Sequence, residues 1–261
     1  MAGKVGAKCG GHVKSNASWG TLYVVSTPIG DLEDVTLRAL RVLRDVAVIA
    51  SEDPQQTRAL SERYEIGTPL TSYHNDNKEE KAAVLLARLR AGDSIALVSD
   101  AGTPVIADPG RFLIREAIQA GIRVAPVPGP SATMAAVAVS GLSGDRFLFQ
   151  GSLPGTSVAL HRLLRTLRKE HRTLVLFASA GGLSKALHAV RKILGERYIA
   201  VAKDLTMPGE RCIRGKASEV LSQVLHEPLD GSITLVIEGC RGRAELTRKA
   251  HVRLRKRVSG S

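Results

Sequence analysis

Aromatic side chains are scarce in this sequence of 261 residues, making up 3% of it. Few rings are therefore available to stack on splayed bases, the device on which single-strand readers depend. The three cysteines, Cys9, Cys212 and Cys240, are too few and too scattered for a disulfide framework or a zinc site, and they favour a cytoplasmic setting. Cys9 and His12 form half of a ligand pattern in a glycine-rich stretch, which reads as coincidence, so no metal is expected. No apolar run reaches the roughly 20 residues that a membrane span needs, and the N-terminus lacks the apolar core of a signal peptide. Three familiar signatures are missing as well. Gly-x-Gly-x-x-Gly after a strand, Gly-x-x-x-x-Gly-Lys-Ser/Thr and Gly-x-Ser-x-Gly do not occur, which removes the usual dinucleotide dehydrogenase, P-loop enzyme and α/β hydrolase.

What is present is a full complement of core residues, 44% hydrophobic, and a formal charge of +12. The charge sits at the ends. Residues 1–19 carry Lys4, Lys8 and Lys14 and no acid, while residues 241–261 carry eight Lys or Arg against Glu245, which leaves +2 on residues 20–240. A basic tail of this kind reads either as a solvated segment or as an aid to RNA binding. The aperiodic, Gly- and Lys-rich residues 1–19 read as a flexible leader.

Order is expected from residue 20. Short β-branched runs at 21–26, 46–50, 95–99 and 122–127 read as strands, and the segments between them as helices, with amphipathic patterns at 34–43 and 79–89. Such alternation predicts a mainly parallel sheet covered by helices. A second set follows, with strands at 147–149, 173–178, 198–202 and 232–238 and helices at 157–170, 182–193 and 216–226. Residues 132–142, small and apolar, read as a buried helix crossing from one half to the other. The expected organisation is an N-terminal α/β domain over 20–142, a C-terminal α/β domain over 143–240, and a basic tail.

Three loops stand out. Ser26-Thr27-Pro28-Ile29-Gly30-Asp31-Leu32 joins a strand to a helix that Asp34 could cap. Residues 100–110, with two Gly and two Pro, are far longer than a simple turn. Gly102 lets the backbone approach a ligand, and Pro104 restricts its path. Pro128-Gly129-Pro130-Ser131-Ala132 repeats the arrangement after the next strand and starts a helix at Ser131. Loops at the carboxyl ends of strands are where α/β folds bind ligands.

Taken with Glu52-Asp53, Asp108-Pro109-Gly110 and residues 231–239, these loops resemble the tetrapyrrole methylase superfamily in matching order over about residues 20–240. Thr27-Pro28-Ile29-Gly30 and residues 99–104 resemble its ribosomal small-subunit methyltransferase I branch, which methylates the ribose 2′-hydroxyl of a decoding-centre cytidine in 16S rRNA. The resemblance implies two mixed α/β domains with S-adenosylmethionine in the cleft between them, commonly a homodimer, and 16S rRNA in the small ribosomal subunit as partner. It implies that Asp100, Thr103 and Ile106 line the cofactor, that Gly102 permits close backbone approach, that Ser131 and Ala132 hold the polar part, and that Pro28 forms a wall. Ala178, Leu205 and Ile233 join this set by strand order alone. Departures fall elsewhere. The chain has Glu52-Asp53-Pro54-Gln55 where the family usually has Glu-Asp-Thr-Arg, and Ala178-Ser179-Ala180-Gly181-Gly182 where it tends to have Glu-Ser-Pro-His-Arg.

The sulfonium already makes the methyl group electrophilic, so the protein has to align an oxygen behind it and help remove a proton. Glu52 and Asp53 are the expected catalytic groups, although Asp53 ahead of Pro54 reads equally well as a helix cap. His74 and Asn77 are candidates for touching substrate, or form only a polar turn. Arg162 and Arg165 lie with Arg168 and Lys169 along one side of a helix, either against phosphates or in solvent. A methyltransferase acting on a tetrapyrrole or other small molecule, and a non-catalytic RNA-binding relative, remain as alternatives.

Overall fold

The computed structural model describes residues 19–240. The expected leader and basic tail lie outside the described residues, except for Trp19. The chain forms two units. One runs to Pro28 and resumes over Leu32–Gly129; the other takes Ile29–Asp31 and the chain from Pro130 onward.

The first unit holds β1 (Thr21–Val25), α1 (Leu37–Asp45), β2 (Val48–Ser51), α2 (Pro54–Arg63), β3 (Leu70–Ser72), α3 (Lys78–Arg90), β4 (Ile95–Val98), α4 (Arg111–Gln119) and β5 (Arg123–Val127). Its strands form one sheet in the order β3-β2-β4-β1-β5, and every pair is parallel. β2 and β4 are buried along their whole length, as expected of short aliphatic runs covered on both faces.

The chain steps one way along this sheet from β1 to β3 and then returns through β4 to β5. A constant crossover hand therefore puts the helices made before the reversal on one face and those made after it on the other. The cores follow that rule. Leu40 and Leu43 of α1 and Leu60 of α2 pack with Ile49, Ala96 and Val98. Leu85 and Leu89 of α3 and Leu113 and Ala117 of α4 pack with Leu22, Ile95 and Leu97 on the opposite face. β4 is thus flanked by two strands whose connections leave on the other side, and at such a reversal the carboxyl ends open a crevice.

The second unit holds α5 (Ala132–Ser140), β6 (Phe147–Ser152), α6 (Ser157–Thr166), β7 (Thr173–Ser179), α7 (Leu183–Leu194), β8 (Tyr198–Lys203), β9 (Arg211–Lys216), α8 (Ala217–His226) and β10 (Ser232–Ile237). Sheet order is β6-β7-β10-β8-β9, and only β6 and β7 run parallel. Period-two alternation divides its side chains. Leu174, Leu176, Ile199, Val201, Leu235 and Ile237 face the core under α6, α7 and α8, while Val175, Ala200, Ala202 and Val236 meet Ala136 of α5.

Four expectations change. The division falls at Gly129 and Pro130 instead of after residue 142, because α5 packs on the second sheet. That helix is buried along one side only: Thr133, Ala136 and Ser140 are covered, and Met134 and Val139 are exposed. Asp34 does not cap α1. It ends a short 3-10 turn, and the Thr36 hydroxyl accepts from the Ala39 amide at 3.1 Å. Helix 157–170 ends at Thr166, and a 3-10 turn takes Leu167–Lys169.

Candidate active site

Backbone pairing joins the loops after β1 and β4. The Thr27 amide donates to the Gly102 carbonyl at 2.9 Å, and the Gly102 amide returns a bond to Thr27 at 3.1 Å. The Thr27 hydroxyl donates to the Ser99 carbonyl at 3.2 Å, and the Ser26 and Thr103 hydroxyls lie 3.0 Å apart. Gly102, buried at φ +79°, takes a left-handed conformation that a side chain would strain. The loop after β5 presses on the same place, since a Cβ on Gly129 would lie 3.1 Å from that of Ser26. Beyond Pro104 the chain is held in a conformation that its residues resist. Val105 and Ala107 have φ of +76° and +70°, and for a β-branched residue this is a true outlier of the kind found at ligand clamps. Ile106 projects between them, 42% exposed.

Carboxylates gather beside these loops. Glu52 and Asp53 follow β2, Asp100 follows β4, and Asp108 ends the strained segment. The Asp53 amide donates to Asp100 Oδ1 at 2.9 Å, while Asp53 Oδ1 accepts from the Gln55 amide at 2.8 Å and caps α2, with Pro54 in the first turn. Burial, then the charges of Asp100, Asp108 and Asp53, pushes the Glu52 carboxyl up to about 7. Asp100 is raised by burial, against the opposing Asp53 amide bond. Asp108 is also raised by burial, with the Ser99 hydroxyl pulling the other way and Asp100 adding to the rise. No salt bridge reaches any of these four carboxylates among the described residues. A carboxyl group that titrates near neutrality can exchange a proton with a bound hydroxyl.

Residues 21–221 match the family of tetrapyrrole (corrin/porphyrin) methylases. The chain belongs to the tetrapyrrole methylase family. The methylase is 43% identical to ribosomal RNA small subunit methyltransferase I of Thermotoga maritima, a match covering 84% of this chain and 99% of that protein. It is 41% identical to the proteins of the same name from Escherichia coli O157:H7, over 90% of this chain and 83% of the relative, and from Bacillus subtilis, over 84% and 75%. Two solved structures show the fold. A cobalt precorrin-4 methyltransferase aligns with a TM-score of 0.64 at 18% identity, covering 84% of this chain and 94% of that one. Uroporphyrin-III C-methyltransferase from Thermus thermophilus, complexed with S-adenyl homocysteine, aligns with a TM-score of 0.58 at 21% identity, covering 83% and 97%. The methylase is a methyltransferase that uses S-adenosylmethionine.

The first sheet brings Pro28, Glu52, Asp53, Asp100, Gly102 and Thr103 to one set of strand ends. His74 and Asn77 follow β3 on the same side of the sheet, where they form a closed turn. Asn77 accepts from the His74 amide at 2.9 Å, donates to the Ser72 hydroxyl at 3.2 Å and lies 3.0 Å from His74 Nε2. Asn77 is thus fully engaged in holding the turn.

In the second unit, Ser131 caps α5 by position, without a side-chain bond, and Ala132 begins the helix. The buried Thr133 hydroxyl has no hydrogen-bond partner among the described residues. Ala178 and Ile233 are register partners on the helix-covered face, with Ile233 sealed in that core, whereas Leu205 packs with Ala202 on the α5 face. Strand order placed these three together, but their side chains point to opposite sides of the sheet. Arg162 and Arg165 are exposed on α6. Gly30 has a clear packing reason: a Cβ there would meet Thr206 Oγ1 at 2.7 Å and the Leu205 carbonyl at 2.8 Å.

Sequence reading left Asp108 out of the site and attached no role to Tyr73, Lys78, Arg111 or Arg115. These last four line a cavity of about 290 Å³ together with Asn75, Asp108, Pro109, Gly110 and Phe112. The available signal was Asp108-Pro109-Gly110 running straight into a cationic helix start.

Proposed function

We propose that the methylase transfers the methyl group of S-adenosylmethionine to the ribose 2′-hydroxyl of a decoding-centre cytidine in 16S rRNA, with Glu52 as general base. The observation that carries the mechanism is the Glu52 carboxyl held near pH 7 while the neighbouring Asp53 carboxylate is engaged as a helix cap. Asp53 then positions Asp100 through its amide and need not take the proton. The names of the relatives support ribosomal RNA as substrate.

The paired loops fit the cofactor because Gly102 takes a left-handed turn that a side chain would strain and Gly129 lets the third loop close on Ser26, so that loop backbone can approach a polar ligand. Pro28, Gly102, Thr103 and Ile106 would hold it on the first unit, with Asp100 at the loop entrance. S-adenosylmethionine supplies an electrophilic methyl group on its sulfonium. Glu52 accepts the proton of the attacking hydroxyl, and the strained 105–107 segment keeps Ile106 available as an apolar cover.

Single-turnover transfer from radiolabelled S-adenosylmethionine to small subunits from cells lacking the protein tests this reading. Nuclease digestion should release the label as 2′-O-methylcytidine. Label in a corrinoid precursor with none in RNA would replace the substrate. Subunit binding with no transfer would overturn the catalytic reading.

A further inference from the structure

We propose that the cavity lined by Tyr73, Lys78, Asp108, Arg111 and Arg115 grips a backbone phosphate of a polynucleotide substrate, next to the carboxylate cluster. The proposal rests on the RNA reading above and assigns where the strand is held.

The first ground is charge in an unfavourable place. Lys78 and Arg111 occupy the first positions of α3 and α4, where the helix dipole disfavours cations and favours anions. On α4 no acidic residue lies in the first turn, and the cap, Gly110, has no side chain to bond the first amides, of which the Leu113 amide is met by the Tyr73 hydroxyl. Asn77, at the cap of α3, makes no side-chain cap bond, its side chain being committed to Ser72 and His74. Two helix starts thus bring two cations to one cavity: Glu79 and Glu80 in the first turn of α3 offset Lys78, whereas α4 has no acid in its first turn and its start suits an incoming anion.

The second ground is Tyr73, whose side chain is 0% exposed at the cavity wall. Its hydroxyl accepts from the Leu113 amide at 3.1 Å, and its own proton has no acceptor among the described residues. A buried hydroxyl with an unused proton suits an acceptor arriving in the cavity. The third is Arg115, oriented by Glu116 at 2.9 Å and lying over the Phe112 ring at 5.2 Å, so its guanidinium is preorganised.

Negative groups nearby are Asp108 on the wall, Glu116 paired with Arg115, and Asp76, Glu79 and Glu80, all three exposed. Burial raises the Asp108 carboxyl, which lessens its opposition to an anion. Asp108, on the cavity wall, also acts on Glu52 through its charge. That arrangement suits a substrate whose reactive hydroxyl and nearest phosphate belong to one sugar-phosphate chain.

The test is the salt dependence of binding to small subunits, comparing wild type with the triple variant Lys78→Gln, Arg111→Gln, Arg115→Gln. The variant should bind at least about tenfold more weakly, and its slope of log affinity against log salt should be shallower by roughly 0.7 per lost phosphate contact. Because two cations leave helix starts, its Tm should be no lower than that of wild type, which a merely structural role would not give. Should the triple variant fail to fold, Lys78→Gln and Arg115→Gln singly carry the same comparison. Unchanged affinity and slope, with an active wild type, overturn the cavity assignment alone. A wild type that binds S-adenosylmethionine yet neither binds nor methylates small subunits overturns the RNA reading itself.

Discussion

The carboxylates at the strand ends of the two sheets are treated in opposite ways. In the first unit Glu52, Asp100 and Asp108 are all raised, chiefly by burial. In the second, Lys203 lies between Asp204 and Asp230, bonded to the Asp204 carboxylate and 3.0 Å from Asp230 Oδ1. The Lys203 ammonium holds both acids below their ordinary range, and the Ser232 amide lowers Asp204 further. Both regions also carry left-handed residues without glycine's freedom: Val105 and Ala107 in one, Asp204 and Thr206 in the other. What differs is what the strained backbone supports. In the second unit it closes a bracket bridged by one cation, where Asp204 Oδ1 accepts from Ser232 and the Thr206 amide donates to Glu210. In the first it leaves carboxyl groups raised by burial beside an open crevice. Similar side chains are buried without a salt bridge among the described residues in one place and fixed by Lys203 in the other, which is why the proposed proton exchange falls to the first.

The largest effect that could break this contrast is on turnover. Glu52→Gln should lower kcat by roughly 100- to 10,000-fold, the usual contribution of a positioned base, with S-adenosylmethionine affinity retained in a direct binding measurement. A loss below about threefold would remove Glu52 from the chemistry. In wild type, kcat/KM should rise with pH and level off above about 7, as Glu52 loses its proton.

Asp204→Asn should act on stability instead. Losing the ionic bond to Lys203 is expected to lower Tm by roughly 2–4 °C, and a Tm equal to that of wild type would mean that the bracket holds nothing. The smallest effect follows from linkage. The folded-state pKa of Glu52 lies above its unfolded value, so between about 4.5 and 7 the folded protein binds more protons than the unfolded one, and its stability falls as pH rises through that window. Glu52→Gln removes this term. Its Tm relative to wild type should therefore be higher at pH 8 than at pH 4, and a difference independent of pH would contradict the raised pKa.

Much of both sheets was legible because β1, β4, β8 and β10 are aliphatic runs of four to six residues between polar breaks. β3 was not, since Leu70-Thr71-Ser72 is too short to show a period. β9 escaped for another reason: Arg211, Arg214 and Lys216 crowd an edge strand whose inward residues are Ile213 and Gly215. The loops of the candidate site could be found by their Gly and Pro content, and Glu52-Asp53 by motif. The division of labour within that pair could not. It depends on which carboxylate the Gln55 amide captures and on how closely Asp100 and Asp108 approach in space, from more than forty positions away in sequence.

The short visit of the first loop to the second unit bears on how the gene can be cut. Ile29 packs in the core around α5, the Asp31 amide donates to Thr206, and Gly30 fits against residues 205–207, although Pro28 and Leu32 belong to the first unit. A fragment starting at Pro130 would lack this piece, and a fragment stopping at Gly129 would carry it with no surface to bind. The chain therefore has no single point of severance. During synthesis, a segment of the second unit leaves the ribosome a hundred residues before the sheet that receives it, so exchanging either half with a relative requires a second graft at residues 29–31.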